Sequence, residues 1–441
     1  MSDFQFNKEY ELTELVSFVG DKIDANKVSL DTYISTDNML VDRGGVKPAT
    51  KLPAAAKFNQ FKCNDTLFSN IRTYFRKVWL ADFEGGASPD VLIFRSKDPE
   101  KLDPVYLYFL LSDEGFVNHT VLTAKGAKMP RGDKAAIMQF KFFLPDIDKQ
   151  RKAGNDLLTI NKKIELNRQT NQTLEEIAQV IFKSWFVDFE PVKAKIKAKQ
   201  NGQDPELATM CAISGKTEEQ LKGLDEATLQ QLKTTAVLFP DVLVESELGE
   251  IPEGWEVKKL KEVCRVINGR AYKNTEFKEE GTPIVRIQNL SKRGKTVYSD
   301  IELPEDKLID KEDFIYAWSA TFGPHIWRGP KSIYHYHIWK MDVNEEKISR
   351  YFLYLSMFRK TGQMKSGATG SIFTHLTKSI MESQQMLVAT HELNMSFKDT
   401  LEMYFKKITV LGEELEVLEG LRDSLLPKLL TGDREVLEDA C

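Results

Sequence analysis

Two histidines one residue apart, in Ile333-Tyr334-His335-Tyr336-His337-Ile338, have the type and spacing to hold a transition metal. On an extended strand alternate residues share a face, so both rings would point the same way. Their neighbours are tyrosines and isoleucines, so packing on an aromatic β-surface is the better reading, and no metal site is expected. His391-Glu392 lacks the second histidine of an H-E-x-x-H zinc motif. The sequence also lacks a G-x-x-x-x-G-K-[ST] phosphate loop, a G-x-G-x-x-G turn opening a helix, a G-x-S-x-G nucleophile elbow and the N-P-P-Y type of amino-methyltransferase pocket. A magnesium nuclease needs paired carboxylates. Pro89-Asp90 is followed only by Arg95-Ser96-Lys97, and the E-x-K in Pro304-Glu305-Asp306-Lys307 is of a kind frequent by chance. No catalytic residue is nominated.

The remaining chemistry is that of recognition. Lys365-Ser-Gly367-Ala-Thr369-Gly370-Ser371-Ile-Phe-Thr374-His375-Leu-Thr377-Lys378 combines hydroxyls, glycines and flanking lysines suited to close approach to a phosphate backbone or a base edge. Lys125-Gly126-Ala-Lys128-Met-Pro-Arg131-Gly132-Asp-Lys134 is a more basic loop at an equivalent place. Arg286-Ile-Gln288-Asn289 follows a strand signal, and Arg, Gln and Asn are the side chains that read bases bidentately. Lys47, Lys51, Lys57, Arg72 and Arg76, and then Lys292, Arg293 and Lys295, are further basic candidates. Tyr316 and Trp318 fit either a ligand face or buried aromatic packing.

Two long helices must position these loops. One apolar stripe runs through Leu157, Ile160, Ile164, Asn167, Asn171, Leu174, Ala178, Ile181 and Trp185. The second runs through Leu401, Tyr404, Ile408, Leu411, Leu415, Leu418, Arg422, Leu425 and Leu429, at a constant offset of 244 residues. Both step 3, 4, 3, 4, the seam of a coiled coil held for about four heptads. Helices are expected from about 147 to 187 and from about 391 to 430. The preceding segments repeat as well: Asn64-Asp65-Thr66-Leu67-Phe68 … Trp79 against Glu312-Asp313-Phe314-Ile315-Tyr316 … Trp327, and Gly126-Ala127 against Gly367-Ala368. The chain therefore reads as a duplicated unit, a mixed globular domain followed by one long helix. Strands are expected at Asp90–Phe94, Thr282–Ile287 and Ile333–Ile338, and a short buried helix at Tyr351–Phe358. Pro191 to Gly202 reads as a basic, flexible stretch, and Glu218 to Leu238 as helical. The expected boundaries are 1–146 for the first domain, 147–190 for the first helix and 191–248 for a linker or helical insertion. The second domain is placed at 249–390, and the second helix with its tail at 391–441.

Length and composition agree. The 441 residues are 41% hydrophobic and 29% charged, enough for sizeable cores. A net charge of −5 excludes a general polycation but not local basic patches. Cys63, Cys211, Cys264 and Cys441 form no CxxC pair, which argues against a zinc finger or disulfide scaffold and fits a cytoplasmic protein. Neither a signal peptide nor a membrane-spanning run is read.

Several stretches resemble the specificity (S) subunits of type I restriction-modification systems. They are Tyr33-Ile-Ser-Thr-Asp-Asn-Met-Leu40, Gly249-Glu-Ile-Pro-Glu-Gly-Trp255-Glu-Val, Gly281-Thr-Pro-Ile-Val-Arg-Ile-Gln-Asn289, Gly367-Ala-Thr-Gly through His375-Leu-Thr-Lys378, and Leu421-Arg-Asp-Ser-Leu-Leu-Pro-Lys-Leu-Leu-Thr-Gly432. The resemblance implies an α+β fold: two duplicated globular target-recognition domains separated by two long antiparallel coiled-coil helices, with pseudo-two-fold symmetry. Each domain would read one half of a bipartite, asymmetric site in double-stranded DNA. The helices would set the gap and dock two methyltransferase (modification) subunits, with motor-nuclease (restriction) subunits joining them. No cofactor is bound directly in that reading; S-adenosylmethionine, ATP and magnesium belong to the partners. Gly126-Ala-Lys-Met-Pro-Arg131 departs from the Gly-x-Thr-Gly pattern of the second loop. A self-sufficient enzyme would need a cofactor loop and a catalytic motif, and a bare coiled-coil scaffold would leave two large duplicated domains without a role. The purified chain alone is therefore expected neither to methylate nor to cut DNA. Methyl transfer from labelled S-adenosylmethionine, at a rate scaling with the concentration of this chain alone, would contradict it.

Overall fold

In a computed structural model, the described residues are 8–290, 295–319, 322–367 and 376–431, the side chains of 364–367 and 431 excepted. Each apolar stripe lies on one continuous helix, Ile147–Phe186 of 40 residues and His391–Thr431 of 41. Their starts are capped from the sequence. The Asp146 carboxylate accepts from the Lys149 N–H at 3.0 Å, and the Thr390 hydroxyl accepts from the Leu393 N–H at 3.4 Å. The chain forms two compact units, Met1–Gln169 with Glu413–Cys441, and Thr170–Gly412. Each unit thus takes one half of each long helix.

In the first unit an antiparallel sheet carries, in order, Val16–Phe18, Val91–Ser96, Thr66–Ser69 and Val78–Leu80. A second sheet carries Lys22–Asp24, Lys57–Phe61, Gly85–Ala87 and Tyr33–Ile34, the last pair parallel. Phe68, Phe94, Tyr106, Phe109 and Phe116 fill the core together with Ala153 and Leu157 of the first helix and Leu426, Leu429 and Leu430 of the second. Residues 153–157 meet 426–430 while Asn167 meets Glu414, so the two helices run antiparallel within this unit.

The second unit repeats the plan. Cys264–Asn268, Ile338–Val343, Phe314–Ala317 and Gly323–Ile326 form the antiparallel sheet. Thr282–Val285 runs parallel to Ser332–Tyr334, as Tyr33–Ile34 runs parallel to Gly85–Ala87. Only the edge strand differs: Val297–Ser299 pairs with Thr282–Val285, whereas Lys22–Asp24 pairs with Lys57–Phe61. Here the helices are joined by aromatic rings. Phe397 lies 4.7 Å from Phe186 and 5.5 Å from Trp185, with Phe182, Phe352 and Leu401 around them. Phe182, Phe186 and Phe397 flank the apolar stripe on the two long helices.

The duplication extends to single hydrogen bonds. Asn64 and Glu312, which open equivalent strands, both have φ of 68°. The Asp65 carboxylate accepts from the Lys62 N–H at 2.8 Å, and that of Asp313 from the Asp310 N–H at 2.7 Å. After the parallel strand, the Asn38 side chain accepts from the Ser35 N–H at 2.6 Å and the Asn289 side chain from the Arg286 N–H at 3.0 Å. Both are asparagine-closed turns.

Four local expectations are corrected. Pro191 to Gly202 is not a flexible stretch: Glu190–Gln200 is a helix with Pro191 in its first turn. Val192 and Ala198 are buried, and the Lys195 ammonium donates to the carbonyls of Ala236 and Phe239 at 3.1 and 2.7 Å. Burial lowers the Lys195 pKa, while Glu206 and Asp241 oppose the shift. Further helices follow at Pro205–Ser214, Glu218–Leu221 and Glu226–Val237, so Glu218–Leu238 is interrupted around Gly223. The expected strand Ile333–Ile338 is broken: Ser332–Tyr334 ends, His335–His337 turn the corner, and Ile338–Val343 enters the other sheet. The helix expected at Tyr351–Phe358 is longer, Arg350–Gly367.

Two stability outcomes follow. Phe397→Ala removes a fully buried ring from the seam and should cost about 3–5 kcal/mol, seen as an early calorimetric transition. Asn38→Ala and Asn289→Ala each delete a turn acceptor and should cost about 1 kcal/mol. No change in the melting profile of the Phe397 variant would show that the seam does not carry the second unit.

Candidate nucleic-acid interface

In the first unit three loops converge. The Asp42 and Arg43 N–H groups donate to the carbonyls of Phe75 and Arg76, each at 2.9 Å, which joins the loop after Asn38 to the segment after Ser69. The Arg72 N–H donates to Pro130 O at 2.9 Å, and Lys125 and Arg131 pair through their backbones at 2.8 and 2.9 Å, which adds the basic loop. Asp42, Arg43, Arg72 and Arg76 all have left-handed backbones, with φ between 50° and 61°. Such conformations cost of order 1 kcal/mol or more for a residue other than glycine and concentrate where a loop is shaped for use. The Lys77 ammonium donates to Thr36 O at 2.5 Å, further fixing this end of the unit.

Of the sequence candidates, Arg72, Arg76, Lys125, Lys128 and Arg131 are brought together here, with Lys47 on the adjoining loop. All are exposed except Arg76, which is half-buried and pairs with Glu114 at 3.6 Å. Arg131 pairs with Asp90 at 3.0 Å, and Lys125 contacts Asp133, whose carboxyl it holds below the usual range. Lys51 is exposed on the stretch beyond Lys47. Lys57 stands apart from the loop cluster, on the strand Lys57–Phe61, paired with Asp24 at 3.5 Å.

Arg43, not singled out in the sequence, ties this end to the helix. Its side chain is only 2% exposed and donates to the Asp423 carboxylate at 3.0 Å. Burial would raise the Asp423 pKa, but hydrogen bonds and charge from Arg422 and Arg43 bring it below the ordinary value. The basic loops are thereby held on a rigid element, which limits the entropy lost when they meet a ligand.

In the second unit Arg286 is half-buried; its guanidinium donates to Lys295 O at 2.7 Å and lies 5.6 Å from the Phe277 ring. Asn289 closes the turn described above, and Gln288 is exposed beside it. Tyr316 is fully buried, its hydroxyl 2.9 Å from that of Thr361, whereas Trp318 is half-buried near the loop end. Lys292, Arg293, Thr369, Ser371, Thr374 and His375 lie outside the described residues, as does the side chain of Lys365. Among the described residues no cluster of three or more potential metal ligands occurs.

Every described helix-seam candidate is buried or half-buried: Leu157, Ile160, Ile164, Asn167, Asn171, Leu174, Ile181 and Trp185 on the first helix, and Leu401, Tyr404, Ile408, Leu411, Leu415, Leu418, Leu425 and Leu429 on the second. Asn167 is buried in the seam and paired with a charged residue of the other helix. Its amide donates to the Glu414 carboxylate at 2.9 Å, beside Lys163–Glu414 at 3.2 Å and Arg168–Glu419 at 2.6 Å.

Residues 252–419 match the family model of the type I restriction modification DNA specificity domain. The chain is 29% identical to the type I restriction enzyme HindI specificity subunit of Haemophilus influenzae, over 98% of this chain and 100% of that one. It is 23% identical to the MjaIX specificity subunit of Methanocaldococcus jannaschii, over 76% of this chain and 69% of that one. In fold it is similar to the crystal structure of a type I restriction-modification S subunit from M. genitalium, with a TM-score of 0.56 at 16% identity, covering 97% of each chain. The chain is thus similar from end to end to a type I restriction-modification specificity subunit, and its residues 252–419 match that family's DNA specificity domain.

Proposed function

We propose that each unit reads one half of a bipartite, asymmetric site in double-stranded DNA, and that the paired helices set the unread spacer. The observation that carries this reading is the duplication: an antiparallel sheet of the same strand order in each unit, and in each an asparagine-closed turn after the first strand of the parallel pair. A duplicated reader with divergent loops suits a site whose halves differ in sequence. The basic loop cluster of the first unit supplies the phosphate contacts that fix a protein's register on a duplex.

The chain acts without catalytic groups of its own, as the recognition component of a larger complex. Two methyltransferase subunits dock on the helices, and motor-nuclease subunits join them in the cytoplasm; S-adenosylmethionine, ATP and magnesium are used by those partners. Exposed apolar side chains on the helices support such docking. The first unit leaves Leu166, Val417 and Leu421 in the open, and the second leaves Ile177, Val180, Met403 and Val410. A single soluble chain has little reason to leave such stripes exposed on both helices. No helix among the described residues is long and apolar enough to cross a membrane.

At 1.5 Å per residue each helix is roughly 60 Å long, on the order of 17 base pairs of B-DNA at 3.4 Å per pair. A four-residue insertion near Asn171 adds about 6 Å. It should change the preferred spacer by one or two base pairs and leave both half-site sequences intact. Methylation mapping of the assembled modification complex over a spacer library measures this. An unchanged spacer preference at full activity would show that the helices do not set the distance.

A further inference from the structure

The corner His335-Tyr336-His337 has a counterpart in the first unit, Ser88-Pro89-Asp90, and the backbone of the two is held in the same way. The His335 N–H donates to Val285 O at 2.9 Å, as the Ser88 N–H donates to Ile34 O at 2.8 Å. The Trp318 N–H donates to His337 O at 3.1 Å, as the Asn70 N–H donates to Asp90 O at 2.9 Å. Both corners join the parallel pair of one sheet to a strand of the other. The fold therefore fixes the backbone here and leaves the side chains to differ. In the first unit Asp90 of this corner pairs with Arg131 of the basic loop at 3.0 Å, which puts the position beside the candidate interface.

In the second unit the side chains form a ring cluster. His335 and His337 are 4.9 Å apart, Tyr336 is 4.5 and 3.9 Å from them, and Trp318 is 5.1 Å from His337. Tyr272 lies 6.5 Å from His335 on its other side, with the Arg270 guanidinium 5.0 Å from the Tyr272 ring. The strand break locks the arrangement: the Arg270 N–H donates to Tyr334 O at 3.1 Å, and the Tyr336 N–H donates to Arg270 O at 3.0 Å. The Trp318 indole N–H donates to Tyr336 O at 2.8 Å. A side chain at Gly269 would meet His335 O at 2.4 Å, so only glycine permits this approach. Tyr336 nonetheless stays 41% exposed.

We infer that this corner is a base-reading element of the second unit, with His335 and His337 contacting base edges and Tyr336 offering its exposed ring to the bases. The inference rests on the DNA-reading function proposed above and names residues within it. Burial lowers the pKa of both histidines, with His337 and Arg286 adding to the shift at His335, so at neutral pH each ring presents a donor and an acceptor. A neutral imidazole on a fixed backbone discriminates by hydrogen-bond pattern, whereas exposed lysines contribute attraction independent of sequence.

The test uses the full chain assembled with its methyltransferase subunits and selection of bound duplexes from a randomised library. His335→Gln, His337→Gln and Tyr336→Ala should each relax preference within one half-site, by about 5- to 150-fold for a lost base contact. Preference at the other half-site should be unchanged. The double change His335→Ser, His337→Asp, which installs two of the first unit's side chains and keeps the Tyr336 N–H donated to Arg270 O, should shift that half-site's preference. Should the histidine variants fail to fold, the exposed position of Tyr336 keeps the test open. Unchanged discrimination at both half-sites by assembled variants overturns the inference, and binding lost equally for every sequence does so too. Zinc-dependent recovery of a shared histidine site, with base preference unaltered, would show a metal site instead. If the unsubstituted complex shows no sequence preference at all, the DNA-reading function itself fails.

Discussion

The apolar seam between the two long helices is the constraint on which the rest of the structure depends. Neither unit has a complete core without it. In the first unit Leu426, Leu429 and Leu430 close the space around Tyr106 and Leu157; in the second Phe397 and Leu401 close it around Phe182 and Trp185. Because both helices pass through both units, one sequence pattern serves two cores. Register is fixed by the polar residues in the stripe. Asn167 meets Glu414, with Lys163 and Arg168 on Glu414 and Glu419, and a slip of one turn would set these groups against leucines.

On that frame the duplicated sheets keep what the backbone needs and vary what a ligand would meet. The buried carboxylate of Asp65, the turns closed by Asn38 and Asn289, and the left-handed Asn64 and Glu312 are matched between units. The left-handed residues Asp42, Arg43, Arg72 and Arg76 belong to the first unit, and the ring cluster around His335 belongs to the second. Arg43 shows how shaped loops are held: its buried guanidinium joins them to Asp423, so their conformation is set by the helix and not by their own sequence.

The parts of this architecture legible in the sequence are those with a local period. A heptad stripe held for about four heptads announces each long helix, and its constant offset announces the duplicated mixed plan, whereas the pairing of the two helices was implied by the family resemblance. Strand pairing could not be read, because Val16–Phe18 meets Val91–Ser96 across a separation no local pattern encodes. The Pro191–Gly202 lysines resembled a loop because their alternation masks the buried Val192 and Ala198. Arg286 and Asn289 have base-reading chemistry, yet they are engaged with Lys295 O and in the turn. The available signal was the asparagine placed alike after both parallel strands, in Ile34-Ser-Thr-Asp-Asn38 and Val285-Arg-Ile-Gln-Asn289. His335-Tyr-His337 looked like continuous strand because its residues are good strand formers. Only the hydrogen bonds to Val285 and Trp318 show the corner.

We propose that one chain carries two independent DNA readers and that the helices set the unread spacer. Selecting bound duplexes from a fully randomised library with the chain assembled with its methyltransferase subunits, then sequencing them, tests it most directly. The expected outcome is two short, unlike motifs separated by a gap of constant length and no sequence preference. A single contiguous motif, or two motifs at freely varying separation, would contradict it.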